Sequence, residues 1–168
     1  GAGRRFGGPK APAVVDGERL VDRAVRIAAD AGCTPVVVVL GAWVGDVPGA
    51  TVVTNPDWHT GMASSLRCGL AWLAEHTEAD ATVVTLVDLV GLTSAAVAQV
   101  SRAHAYVAAA TYAGTRGHPV RLARSAWSAA AAAAHDDVGA RDFLASRTDL
   151  VLVEVGHLAD GADLDTAP

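Results

Sequence analysis

The chain opens with Gly1-Ala2-Gly3-Arg4-Arg5-Phe6-Gly7-Gly8-Pro9-Lys10, four glycines and three cations with no acid among them. Glycines let backbone N–H groups come close to anionic oxygens. Cations neutralise the charge that develops when a phosphate bond breaks. This combination fits a polyphosphate cradle, with Gly1, Ala2, Gly3, Arg5 and Lys10 as the candidate contacts. A plain glycine-rich tail has a similar composition, so spacing has to narrow the reading. A Walker loop needs Gly-Lys-Ser/Thr, whereas Lys10 follows Pro9 and precedes Ala11. A dinucleotide fingerprint also fails, because its third glycine falls on Phe6.

A second chemical signal is Asp88, which directly follows the apolar Leu86-Val87. A carboxylate at the end of a buried strand can hold Mg²⁺ through oxygen, or it can cap the following turn. Residue type alone leaves both open. The tail Asp163-Leu164-Asp165-Thr166 places acids at alternate positions, which point the same way on extended chain. Asp165 is the candidate to join Asp88 around a metal, and a frayed acidic terminus is the plain alternative.

Between these lies Asn55-Pro56-Asp57-Trp58-His59-Thr60-Gly61-Met62-Ala63-Ser64-Ser65-Leu66-Arg67-Cys68-Gly69. A glycine turn feeding a serine-rich helix start offers N–H groups and hydroxyls to a nucleotide. Asn55, Gly61, Ser64 and Ser65 are the candidates, although helix capping explains Ser64 equally well. Trp58 and Met62 read as wall or core residues. Arg116, His118 and Arg141 are cations suited to an anionic acceptor. Each also has a structural reading: His118 precedes Pro119, and Arg141 can pair with Asp137 or Asp142. His59, His76, His104, His135 and His157 show no metal-ligand spacing.

The elements that must position these groups alternate between helix and strand. Residues 18–31 place Leu20, Val21, Ala24, Val25, Ile27 and Ala28 on one helical face, with Gly32 as the stop. Residues 34–41 form a β-branched run that fits a strand buried on both faces. A second strand spans 50–54 and ends at the turn dipeptide Asn55-Pro56. A helix over 62–75, a strand over 81–87 and a helix over 94–104 capped by Thr93 follow. Strands over 106–113 and 119–123 flank Gly114-Thr115-Arg116-Gly117, which reads as a hairpin or a longer excursion. A helix begun near Ser125 runs through the alanines 129–134. Another lies near 139–146, and a strand over 150–155 ends the pattern. This order predicts a three-layer α/β/α domain with a mostly parallel, Rossmann-like sheet, one domain over 1–168.

The bulk composition agrees. Hydrophobic residues make up 51% and aromatics 5%, which favours tightly packed layers over disorder. A net charge of −5 argues against non-specific nucleic-acid binding. Cys33 and Cys68 form no CxxC pair and read as buried thiols of a cytoplasmic protein. No apolar stretch reaches the roughly 18 residues needed to span a bilayer, so no membrane partner is expected.

Taken together, the motifs resemble the nucleotidyltransferases of molybdenum cofactor biosynthesis. The G-x-G-x-R-x-G-x-x-K loop is similar to that family's signature. Asn55 to Leu66 resembles the N-P-x-W-x-x-G-M-x-x-S-L motif of its cytidylyltransferases. Arg116-Gly117-His118-Pro119 and Asp137-Val138-Gly139-Ala140-Arg141 are similar to two further elements. In that family a first strand precedes the glycine loop, so it is expected to lie ahead of Gly1. Two departures stand out. The tail matches Asp-x-Asp-Thr-Pro only in part, because Ala167 precedes Pro168. The family's Gly-Asp-x-Pro reads Val87-Asp88-Leu89-Val90 here.

The resemblance implies transfer of a nucleoside monophosphate from an NTP, CTP favoured, to the phosphate of a molybdopterin-type acceptor, with pyrophosphate released. It implies charge stabilisation by Lys10 and Arg5, Mg²⁺ held by Asp88 and Asp165, and acceptor contacts from Arg116, His118 and Arg141. A molybdoenzyme or its chaperone is the further expected partner. GTP or a sugar-phosphate acceptor is the enzymatic alternative. A non-catalytic pterin carrier, with turnover lost through the altered 87–90 loop, is the other.

Overall fold

The fold is that of a computed structural model describing residue 3 and residues 5–164. A short antiparallel hairpin, β1 (Val14–Val15) and β2 (Glu18–Arg19), turns at Asp16-Gly17 and leads directly into α1 (Leu20–Asp30). Leu20, Val21, Val25 and Ile27 of α1 are buried. Gly32, at φ 85°, ends it as expected: Gly32 and Cys33 donate back to Ala29 and Ala28.

The β-branched run then forms β3 (Val37–Leu40), which pairs in parallel with β4 (Thr51–Thr54). After α2 (Met62–His76) come β5 (Ala81–Val84) and α3 (Ser94–Ser101), and Thr93 caps α3 through its hydroxyl. The chain continues through β6 (Val107–Tyr112), β7 (Thr115–Ala123), α4 (Trp127–Ala133), α5 (Arg141–Ala145) and β8 (Val151–Glu154).

β5 to β8 make one sheet in the order β5-β7-β6-β8. β6 and β8 are parallel and β7 is antiparallel to both β5 and β6, so three of the four strands share a direction. Alternate residues serve opposite faces. Val84, Ala109, Val120 and Leu122 pack against Leu70 and Leu73 of α2, Trp127 of α4 and Phe143 of α5. Val83, Ala110 and Val153 pack against Ile27 of α1 and Val97 and Val100 of α3. The period-two alternation therefore builds the three layers. Each fully buried aliphatic side chain contributes about 1.5–3 kcal/mol.

Two boundaries differ from expectation, for one reason. Pro119 stands inside β7, where it has no N–H to donate. The β6–β7 register slips there: Ala109 faces Val120 and Ala110 faces Gly117, leaving His118 and Pro119 bulged out. The β5–β7 ladder stops at Val84–Val120, so β5 ends at Val84 and Thr85 to Val87, expected as strand, lie outside it. The hairpin turn is also tighter than expected. Only Ala113 (φ 50°) and Gly114 (φ 83°) make it, and Thr115 to Gly117 are strand.

Candidate active site

The glycine loop is a closed turn. Gly7 and Gly8 both donate to the Gly3 carbonyl, at 2.9 and 3.1 Å. Gly3 has φ +58°, and a Cβ there would lie 1.8 Å from the Gly8 carbonyl oxygen, so no side chain fits. Past the turn, Val21 and Leu20 at the start of α1 donate to the Ala11 and Ala13 carbonyls, tying the loop's exit to that helix. Lys10 stands at the exit. Its Nζ lies 2.8 Å from Asp88 Oδ2, with 17% and 16% of the two side chains exposed. Arg5 is exposed on the loop and makes an interaction of its own.

Asp88 comes from the other side of the site, four residues beyond the end of β5. Its carbonyl accepts from Val90 at 3.1 Å and from Leu164 at 3.0 Å, while Leu89 and Leu92 bury their side chains beneath it. The antiparallel register carries the His118 bulge to the same end of the sheet. Burial holds the His118 imidazole below its usual pKa, and the Asp88 charge opposes that shift. Tyr112 donates its hydroxyl to the His118 carbonyl at 2.6 Å. The structure thus brings Lys10 and Asp88 together from distant stretches of chain, with His118 near enough to feel the Asp88 charge.

A second polar group gathers at the start of α2. Asn55, 3% exposed, donates to Ser64 Oγ at 2.8 Å and Ser65 Oγ at 3.1 Å, and its Oδ1 accepts from the Asp57 amide. Ser64 in turn bonds to the Gly61 and Asp57 carbonyls. Asp137 accepts from the Met62 amide at 3.2 Å, and a Cβ on Gly61 would fall 2.4 Å from the Asp136 carbonyl carbon. The two motifs containing Asn55 and Asp137 therefore dock onto each other, and Asn55 and Ser64 are bonded within the protein.

Arg116 is exposed near the hairpin turn. Arg141 is exposed on α5, 3.9 Å from Asp142. No contact joins either to Lys10 or Asp88 among the described residues. Gly1, Ala2 and Asp165 lie outside the described residues. Burial raises the pKa of both cysteines, so neither thiol is poised as a nucleophile. The described residues contain no cluster of three metal-ligating side chains and no helix long and apolar enough to cross a membrane.

Two contributors escaped the sequence reading. Arg23 donates to the Val90 carbonyl at 2.6 Å. A signal for it existed, since Arg23 sits three residues after Leu20 and four before Ile27, on the apolar stripe. Glu154 accepts from Thr111 Oγ1 and the amides of Ala113, Gly114 and Gly156, which lowers its pKa to about 2. It pins the β6–β7 hairpin from the end of β8, and nothing local in the sequence marks it.

Comparison with known proteins accords with this geometry. The MobA-like NTP transferase domain matches residues 1–151. Nicotine blue oxidoreductase of Paenarthrobacter nicotinovorans is 35% identical over 99% of this chain and 88% of its own length. The structure of Rv0371c from Mycobacterium tuberculosis superposes with a TM-score of 0.81 at 26% identity, covering 99% of this chain and 88% of that one. A manganese complex of Rv0371c gives 0.72 at 22% identity, over 88% and 81%. The 2-C-methyl-D-erythritol 4-phosphate cytidylyltransferase of Thermus thermophilus shares the fold, with a TM-score of 0.66 at 19% identity over 95% and 89%. This chain belongs to the MobA-like NTP transferase domain family.

Proposed function

We propose that the chain is a cytoplasmic nucleotidyltransferase that moves a nucleoside monophosphate, CMP by preference, from an NTP to the phosphate of a molybdopterin-type acceptor. The observation that carries this reading is the 2.8 Å approach of Lys10 to Asp88, with His118 near enough to feel the Asp88 charge. An ammonium and a carboxylate at the mouth of a glycine loop are the charges an Mg²⁺-triphosphate needs. Asp88 suits Mg²⁺, which takes one or two carboxylates and leaves its other positions to water and phosphates. Asp165 is the proposed second carboxylate. When bound, the metal neutralises phosphate charge and aligns the reacting groups.

The chain's own residues supply the rest. Lys10 and Arg5 hold the triphosphate and offset the charge of departing pyrophosphate. Gly1, Ala2 and Gly3 are the proposed backbone contacts to the nucleotide, with Asn55, Gly61, Ser64 and Ser65 as the wall beside it. Arg116, His118 and Arg141 orient the acceptor phosphate, already ionised at pH 7, for in-line attack on the α-phosphorus. Catalysis then rests on positioning and electrostatics, with no protein nucleophile.

The name of the 35%-identical relative supports a second reading, oxidoreduction. In that reading a reduced nicotinamide dinucleotide, bound without the fingerprint glycine that Phe6 replaces, would pass a hydride to an organic acceptor while solvent supplies the proton. One experiment separates the readings. The protein is offered CTP, GTP, ATP or UTP with Mg²⁺ and molybdopterin, and pyrophosphate release is followed beside oxidation of reduced dinucleotide. CTP-selective pyrophosphate release is expected. Release with another nucleotide moves the base, dinucleotide oxidation alone favours the redox reading, and pterin binding without either reaction favours a carrier.

A further inference from the structure

We infer that Arg23 is a positioning residue for Asp88, an inference that rests on the metal-binding role proposed for that carboxylate. Asp88 lies beyond the β5 ladder, so strand pairing does not fix it. Its family counterpart sits in a loop stiffened by proline, and in this chain Val90 takes that place. Arg23 grips the carbonyl of this residue. Its Nη2 donates to Val90 O at 2.6 Å, a charge-assisted bond across 67 positions of sequence. Val90 in turn donates to the Asp88 carbonyl at 3.1 Å, so two bonds link the guanidinium to the backbone of the acid.

Arg23 Nε is buried without a hydrogen-bond partner, so the Val90 carbonyl is the acceptor recorded for the guanidinium, and Ile27 of the same helix shares a buried cluster with Leu89 and Leu92 of the loop. Two backbone ties reach the loop from the C-terminal tail, Asp160 N–H to the Gly91 carbonyl and Leu164 N–H to the Asp88 carbonyl itself, so Arg23 acts on the loop from the opposite side, through Val90. Arg23 is the side-chain clamp on Val90 from the helix that also anchors the exit of the glycine loop. It couples the two halves of the site, Lys10 and Asp88, through α1.

The test is Mn²⁺ titration by electron paramagnetic resonance on folded wild type, R23M, R23K and D88N, with amide exchange of residues 85–92 in parallel. R23M keeps the stem and loses the donors. We expect it to bind Mn²⁺ about tenfold more weakly, the scale of losing a residue that orients a ligand, and to speed exchange in 85–92 selectively. R23K keeps a cationic donor on a slightly shorter stem and is expected within about threefold of wild type on the same argument. If R23M does not fold, R23Q, whose shorter amide falls short of Val90, takes its place. Wild-type Mn²⁺ affinity in R23M or R23Q alongside a loss in D88N would overturn the positioning role. Unchanged affinity in D88N would instead overturn the metal reading beneath it.

Discussion

The mouth of the glycine loop and the start of α2 are both rich in polar residues, and they spend them differently. At the loop, Lys10 and Asp88 face each other as opposite charges drawn from positions 78 apart, each keeping some contact with solvent. At α2, Asn55 and Ser64 are buried and neutral, and their bonds close among Gly61, Asp57 and Ser65. A largely buried ion pair adds little net stability, because desolvation of the two charges offsets their attraction. A satisfied buried network is costly to break and slow to open. The contrast supports the proposed division, with the chemistry at the charged region and the scaffold at the serine-rich one.

The largest effect should come from Asp88. D88N is expected to lower nucleotidyl transfer on the order of 10³-fold, because the carboxylate proposed to hold the metal is lost. Thermal unfolding should show little change. Next comes K10A, at about 10²-fold, the cost of removing one preorganised charge-stabilising group. Steady-state rates with saturating nucleotide check both. A near-normal rate in either variant breaks the assignment of chemistry to this region.

Asn55→Ala sharpens the comparison from the other side. It should cost about 2 kcal/mol through the unpaired groups it leaves, roughly 4–8 °C in melting temperature. Transfer by the folded protein should fall less than tenfold on this account. If turnover collapsed while the protein stayed folded, the α2 start would belong to the chemistry after all.

The smallest effect concerns Glu154. Its pKa is lowered from 4.5 to about 2 by the hydroxyl and amides that bond to it. A depressed acid contributes stability that is fully present above pH 4.5 and fades as pH falls toward 2. The difference in melting temperature between wild type and E154Q should therefore be constant near neutral pH and shrink through that window. A difference that grows with acid would contradict the hydrogen-bonded carboxylate.

Much of this was legible in the chain. The run over 34–41 gave a strand, β3, but one only half-buried over Val37 to Val39 in a two-stranded sheet, where full burial on both faces was expected. Gly32 stopped α1 because its left-handed backbone closes a helix cheaply. Asp88 and Lys10 stood out by type and by what preceded them. Their meeting did not, since nothing local encodes contacts 78 residues apart. Arg23 and Glu154 act over similar distances, each on backbone atoms that carry no sequence signature. The early end of β5 was encoded by Pro119, but only the pairing of β5 with β7 turns that proline into a strand terminus.

The most direct test of the central claim is transfer of label from α-³²P-CTP to molybdopterin by wild type and D88N under Mg²⁺. The account predicts labelled acceptor and equimolar pyrophosphate with wild type, and neither above background with D88N. Equal labelling by the two proteins would contradict the role of Asp88. No labelling by wild type, with reduced dinucleotide consumed in its place, would contradict nucleotidyl transfer itself.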